Sequence, residues 1–118
     1  MQLNEVRYSG VMPVEGYGPG FFRIGGRVWE GAVLACADRV QGWGGYADRD
    51  ALLALAGEVD VLFIGTGAEI APLPGDLRKA LEEAGLGVEQ MASPTACRSY
   101  NVLLSEGRRV AAALLPVG

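Results

Sequence analysis

From residue 59 to residue 115 the chain alternates short apolar runs with segments of helical spacing. That order restricts it to a sheet whose strands are joined by helical crossovers. Val59-Asp60-Val61-Leu62-Phe63-Ile64 has the β-branched, apolar character of a strand buried on both faces. Leu73, Leu77, Leu81 and Ala84 then recur at helical spacing, and Gly85 supplies a C-terminal stop. A short strand is expected over 87–91. Ser93-Pro94 reads as a helix start, with the serine as cap and proline in the first turn. This helix should run to about Glu106 and stop at Gly107, before a final buried strand over 110–115. Such crossovers favour parallel pairing and place helices against the sheet.

Before residue 47 the elements are shorter and richer in glycine and aromatics. Strands are expected near 3–8, 21–24, 27–30, 32–36 and 39–43, with a tight turn at Gly25-Gly26. Gly16-Tyr17-Gly18-Pro19-Gly20 reads as a flexible turn. Asp48 is placed to cap a short helix over 49–56, closed by Gly57.

A chain of 118 residues is expected to form one domain over 1–118 with a core large enough to need no metal or disulfide. The net charge is −4 and the arginines are scattered, which argues against a nucleic-acid partner. There is no histidine, and Lys79 is the single lysine. Most acid–base and metal-ligating machinery is thereby removed, and no cofactor or metal is expected. Cys36 and Cys97 lie far apart and form no metal or redox motif, so reduced thiols and a cytoplasmic setting are expected. The first residues lack the basic flank and apolar stretch of a signal peptide. No apolar run reaches the ~18 residues that membrane insertion would require.

Two polar segments stand out as candidate ligand-binding residues. Gly65, Thr66 and Gly67 follow a buried strand at its C-terminal end, where ligands of open α/β sheets bind. The dinucleotide pattern nevertheless fails. Ile70 occupies its third glycine position, and the next helix begins only near Pro74. Thr66 can instead satisfy local backbone groups. The second segment is Cys97, Arg98, Tyr100 and Asn101. Ala96, Tyr100, Leu103 and Leu104 form one stripe that should pack on the sheet, with Cys97 and Asn101 on a neighbouring face. Cys97 near a helix start could be an activated thiol, but no histidine is present to act as its base. The plainer reading is a buried structural thiol, a core tyrosine, and an Asn101 amide that ties the helix to a loop such as the glycine turn. Trp43, flanked by glycines, is expected to be partly exposed as a partner anchor.

The segments Gly-Phe-Phe-Arg-Ile (20–24), Val-Leu-Phe-Ile-Gly-Thr-Gly (61–67), Gly-Val-Glu-Gln-Met (87–91) and the long run from Ala96 to Leu114 resemble the Mth938-like domain family over nearly the whole chain. Two positions depart from the family pattern: Ala92-Ser93 replaces an acid and a threonine, and Ser99 replaces a threonine. The resemblance implies a single-domain three-layer β/β/α fold, α/β (α+β) in class, with a mixed sheet and helices on one side. It also implies a cleft near the glycine turn and the last helix. Mitochondrial members of the family are assembly factors for respiratory complex I. The resemblance therefore implies a non-catalytic binding or assembly protein with protein partners, aiding the biogenesis of respiratory complex I or of membrane proteins. The alternative is a small-molecule binder or unusual enzyme using Gly65–Gly67 and Cys97–Asn101. A homo-oligomerisation module is a third reading.

Overall fold

The computed structural model describes residues 6–7 and 10–118. In chain order the elements are β1 (Val6–Arg7), β2 (Val14–Gly18), β3 (Phe21–Ile24), β4 (Arg27–Glu30), β5 (Val33–Cys36) and β6 (Arg39–Gly42). These are followed by α1 (Arg49–Leu53), β7 (Val61–Thr66), α2 (Gly75–Glu83), β8 (Gly87–Met91), α3 (Ser93–Ser105) and β9 (Val110–Leu115). The expected strand over 3–8 is seen at Val6–Arg7; its remaining positions lie outside the described residues.

Six strands form a mixed sheet in the order β1-β6-β5-β9-β7-β8. β7 pairs in parallel with β8 and β9, and the other pairs are antiparallel. A separate three-stranded antiparallel sheet has the order β2-β3-β4. Its hairpin turns follow from glycine. Gly25 and Gly26 have φ values of 63° and 75°, which suit the two-residue turn that matches strand twist.

Period-two alternation sorts the large sheet's side chains into two cores. Val33, Ala35, Phe63, Val110, Ala112 and Leu114 face one way and pack with Phe22 and Ile24 of the small sheet. Ala96, Cys97, Tyr100 and Leu104 of α3 complete that cluster, as the helical stripe required. Leu34, Cys36, Leu62, Ile64, Ala111 and Ala113 face the other way, onto Leu52 of α1 and Leu77 and Leu81 of α2. Both α2 leucines are fully buried, and burial of each contributes about 1.5–3 kcal/mol.

This is the β/β/α layering, with one difference from the expected arrangement. α1 and α2 cover one face of the large sheet, whereas α3 lies on the other face beside the small sheet. The handedness of crossovers explains it. The step from β7 to β8 moves outward, and the step from β8 to β9 returns across β7. Right-handed connections running in opposite directions place their helices on opposite faces.

Three local expectations are corrected. Residues 14–18 form a strand, not a flexible turn; only Pro19 and Gly20 turn, with Gly20 at φ 79°. Asp48 precedes α1 but makes no capping bond; its carboxylate accepts the Gly44 N–H at 3.0 Å instead. Ser93 is already inside α3, whose cap position is Ala92. The Ser93 hydroxyl serves a different purpose, described next.

Candidate functional site

The glycine turn is fastened to the start of α3. The Ser93 hydroxyl accepts the Gly67 N–H at 3.0 Å and donates to the Leu115 carbonyl at 2.6 Å. The Ser93 N–H donates to the Gly67 carbonyl at 2.8 Å. Three strand ends and a helix start are thus joined by one buried serine. Gly65 is required by the closeness of this junction. A Cβ there would lie 2.6 Å from the Ser93 hydroxyl oxygen and 2.8 Å from its Cα. Gly67 has φ 103°, in the region that favours glycine.

Thr66 is also used locally. Its hydroxyl donates to the Glu69 carbonyl at 2.7 Å and accepts the Ala71 N–H at 3.0 Å. The turn therefore directs its polar groups into the fold. It does not form a ring of open N–H groups around a concavity.

The α3 residues separate into inward and outward sets. Cys97 is buried, and burial raises its thiol pKa to about 11. Tyr100 is fully buried, and burial pushes its phenol well above its ordinary value. Its hydroxyl donates to the Met12 carbonyl at 3.3 Å. Asn101 ties helix to strand, and its partner is β2 rather than the glycine turn. Its amide accepts the Val14 N–H and donates to the Val14 carbonyl, both at 2.8 Å. Arg98 points outward and is exposed.

Trp43 does not form a partner surface. It is 6% exposed, within the core that α1 and α2 cover. Its indole N–H donates to the Asp48 carbonyl at 3.3 Å, and its ring meets Tyr46 edge-on at 5.9 Å. The flanking glycines shape the turn around a buried ring.

An open apolar groove lies instead between the outer side of α3 and the β7–β8 end of the large sheet. Its volume is about 550 Å³. Val61, Phe63 and Met91 line one wall, and Val102 and Leu103 line the other. Glu89 and Arg98 stand at its rims as opposite charges. Val102 is 50% exposed. Of the candidate binding residues named from sequence, Arg98 alone lines this groove. Val102 was overlooked, although it sits four residues after Arg98 and outside the packed stripe, which places it on the same outward face.

The outer strand beside the groove, β8, is guarded against strand addition. Arg78 of α2 donates to the Val88 carbonyl at 3.3 Å and to the Gln90 side chain at 2.6 Å. A second concavity, about 520 Å³, lies where β5 turns into β6 and β9 begins. Its wall carries Arg39, ion-paired with Glu58 and Asp38, and Arg109, paired with Asp60 at 2.9 Å. Among the described residues no group of histidine, cysteine or carboxylate side chains could hold a metal ion. Among the described residues no helix is long and apolar enough to cross a membrane.

The pattern of a family of unknown function, DUF498/DUF598, matches residues 14–115. The chain belongs to this family. It is 52% identical over 117 residues to an uncharacterised protein of Rhodobacter capsulatus, covering 99% of this chain and 94% of that one. It is 32% identical to NADH dehydrogenase [ubiquinone] 1 alpha subcomplex assembly factor 3 of Danio rerio. That match covers 85% of this chain and 62% of the zebrafish protein. Among solved structures, an outer membrane protein of Bartonella henselae superposes with TM-score 0.84 at 33% identity. The superposition covers 94% of this chain and 99% of that one. A Mth938-like domain of Bordetella pertussis matches with TM-score 0.76 at 27% identity, over 100% of this chain and 94% of that one. The Mth938-like fold expected from the sequence is therefore shown, together with kinship to complex I assembly factors.

Proposed function

We propose that this DUF498 protein is a non-catalytic holding protein that binds a polypeptide client during assembly of a membrane-bound respiratory complex. One observation carries the reading. The polar groups nearest the glycine turn and α3 are engaged within the fold, while an apolar groove with exposed Val102 stands open beside them. A thiol with a pKa near 11 is a poor nucleophile at neutral pH. Apolar surface gathered in one concavity suits recognition of apolar side chains. Kinship with an assembly factor supplies the class of client.

The occupant suggested by the groove is a client helix that presents an apolar stripe. Arg78 takes up the Val88 carbonyl on the neighbouring edge, which disfavours an added strand. Glu89 and Arg98 would fix the direction of that helix by pairing with opposite charges at its two ends.

The test is affinity capture from native cells with the wild-type chain and with Val102→Glu. The reading expects respiratory-complex subunits with the wild type and their loss with the variant, at unchanged melting temperature. Recovery of abundant chaperones alone, or equal recovery by both chains, contradicts it.

A further inference from the structure

Side chains engage the backbone of the edge strands β2 and β8, and the contrast with β4 singles β4 out. On β2 the Asn101 amide engages both backbone groups of Val14. On β8 Arg78 engages the Val88 carbonyl. β4 is the other edge of the small sheet, and no side chain is bonded to the backbone of Val28 or Glu30 among the described residues.

The register shows which β4 groups face outward. Gly31 donates to Gly20, so positions 20 and 31 exchange backbone bonds across the β3–β4 ladder. Antiparallel pairs alternate, so the 22–29 and 24–27 pairs are also bonded and the 23–28 and 21–30 pairs are not. The N–H and C=O of Val28 and Glu30 therefore point away from β3. Val28 is also 50% exposed.

From this edge we infer that the protein forms a two-fold dimer by antiparallel pairing of β4 with β4 of a second copy. In the register centred on Trp29, Val28 pairs with Glu30 of the partner subunit, and Glu30 with Val28 of the partner subunit. All four outward backbone groups on each copy then find partners, and the interface is self-complementary. The side chains agree with that register. Arg23 and Glu30 are exposed on the same face and have no ion pair among the described residues. Arg23 lies beside Val28 on β3, so the pairing brings it two strands, about 9–10 Å of backbone separation, from Glu30 of the partner subunit. Both side chains are long enough to meet over that span, and the symmetry makes the pair twice. On the opposite face Trp29 meets Trp29 of the partner subunit across the axis. Arg27, already 5.3 Å from its own Trp29 ring, borders that aromatic pair. The three-stranded sheet becomes a six-stranded one.

Sedimentation velocity on the full chain, across a range of concentrations and without any client, tests the proposal. A concentration-dependent monomer–dimer equilibrium is expected. Val28→Pro removes an outward N–H from each copy and should raise the dissociation constant about tenfold or more. Val28→Lys provides the same test with the backbone intact. Arg23→Glu should weaken the dimer, and adding Glu30→Arg should restore it. A chain that stays monomeric at every concentration overturns the proposal. So does a dimer whose strength is unchanged by both Val28 variants, or a charge swap that gives no rescue. Circular dichroism melts confirm that each variant is folded. The outcome is separate from client capture, because the groove on α3 takes no part.

Discussion

Asn101 holds Val14 by both its backbone groups, 87 positions away in sequence. A single amide at the middle of α3 thereby acts as the missing neighbour strand for β2. It fastens the small sheet to the helix and occupies the outer edge of β2 at Val14. Asparagine is poor in a helix interior unless its amide is used, and here both ends of the amide are used.

Asn101→Ala removes both bonds and leaves the Val14 N–H and C=O to find water in a half-buried site. The expected loss is about 1–3 kcal/mol. A lower urea midpoint at unchanged slope checks it. A loss within experimental error would mean that the small sheet is held by apolar packing alone.

Gly65→Ala tests the junction between the glycine turn and α3. The new methyl would lie 2.8 Å from the Ser93 Cα and 2.9 Å from Leu114 Cδ2, so the helix start must shift. Overpacking of this kind costs about 1–3 kcal/mol. Because one of the clashes is with main chain, Ser93→Ala should not rescue it. It should add its own loss by leaving the Gly67 N–H without a partner. Thermal melts of the two single variants and the double variant decide the matter. Full rescue would place the crowding at the hydroxyl instead.

Cys97 should be inert in the folded protein. With its pKa near 11, roughly one thiol in ten thousand is ionised at pH 7. Iodoacetamide should label it only as fast as the chain unfolds. The same shift fixes the sign of a pH effect. The folded-state pKa is raised from the ordinary 9.0, so the unfolded chain releases this proton first. Stability from this group is fully present below about pH 9 and is lost as pH rises toward about 11. Tyr100 is shifted in the same direction from 10.0 and adds a further alkaline loss that begins higher. Denaturant titrations from pH 8 to 11 should show this decline, shallower in Cys97→Ala. Fast labelling at neutral pH would contradict the buried-thiol assignment.

Much of the fold could be read from the chain because its cues are local. β7, α2, β8, α3 and β9 follow from apolar periods bounded by Gly85, Gly107 and Pro94. The use of Thr66 within its own loop was also readable, since two of its three partners, Glu69 and Ala71, lie within five residues, while the Met91 carbonyl at 3.3 Å does not. β2 was not. Gly16, Tyr17 and Gly18 have the composition of a turn, and what extends them is the ladder with β3 and the distant hold of Asn101 on Val14. Ser93 misled for a related reason. Its hydroxyl sits where a cap would be, but the Gly67 N–H and Leu115 carbonyl compete for it, and neither partner is near in sequence. Trp43 misled because glycine neighbours suggest exposure, while α1 and α2 fold over the ring. The groove was invisible for the same cause. Phe63, Met91 and Val102 come from three elements that only the crossover geometry brings together.

The most direct examination of the account is site-specific photo-crosslinking from position 102 in native cells, with mass spectrometry of the products. A photoreactive residue at position 102, in the groove, should yield adducts with a respiratory-complex subunit during its assembly. The same residue at exposed Ile70, outside the groove, should not. Equal adducts from both positions, or none with such a subunit from position 102, would contradict the claim that this groove holds an assembling client.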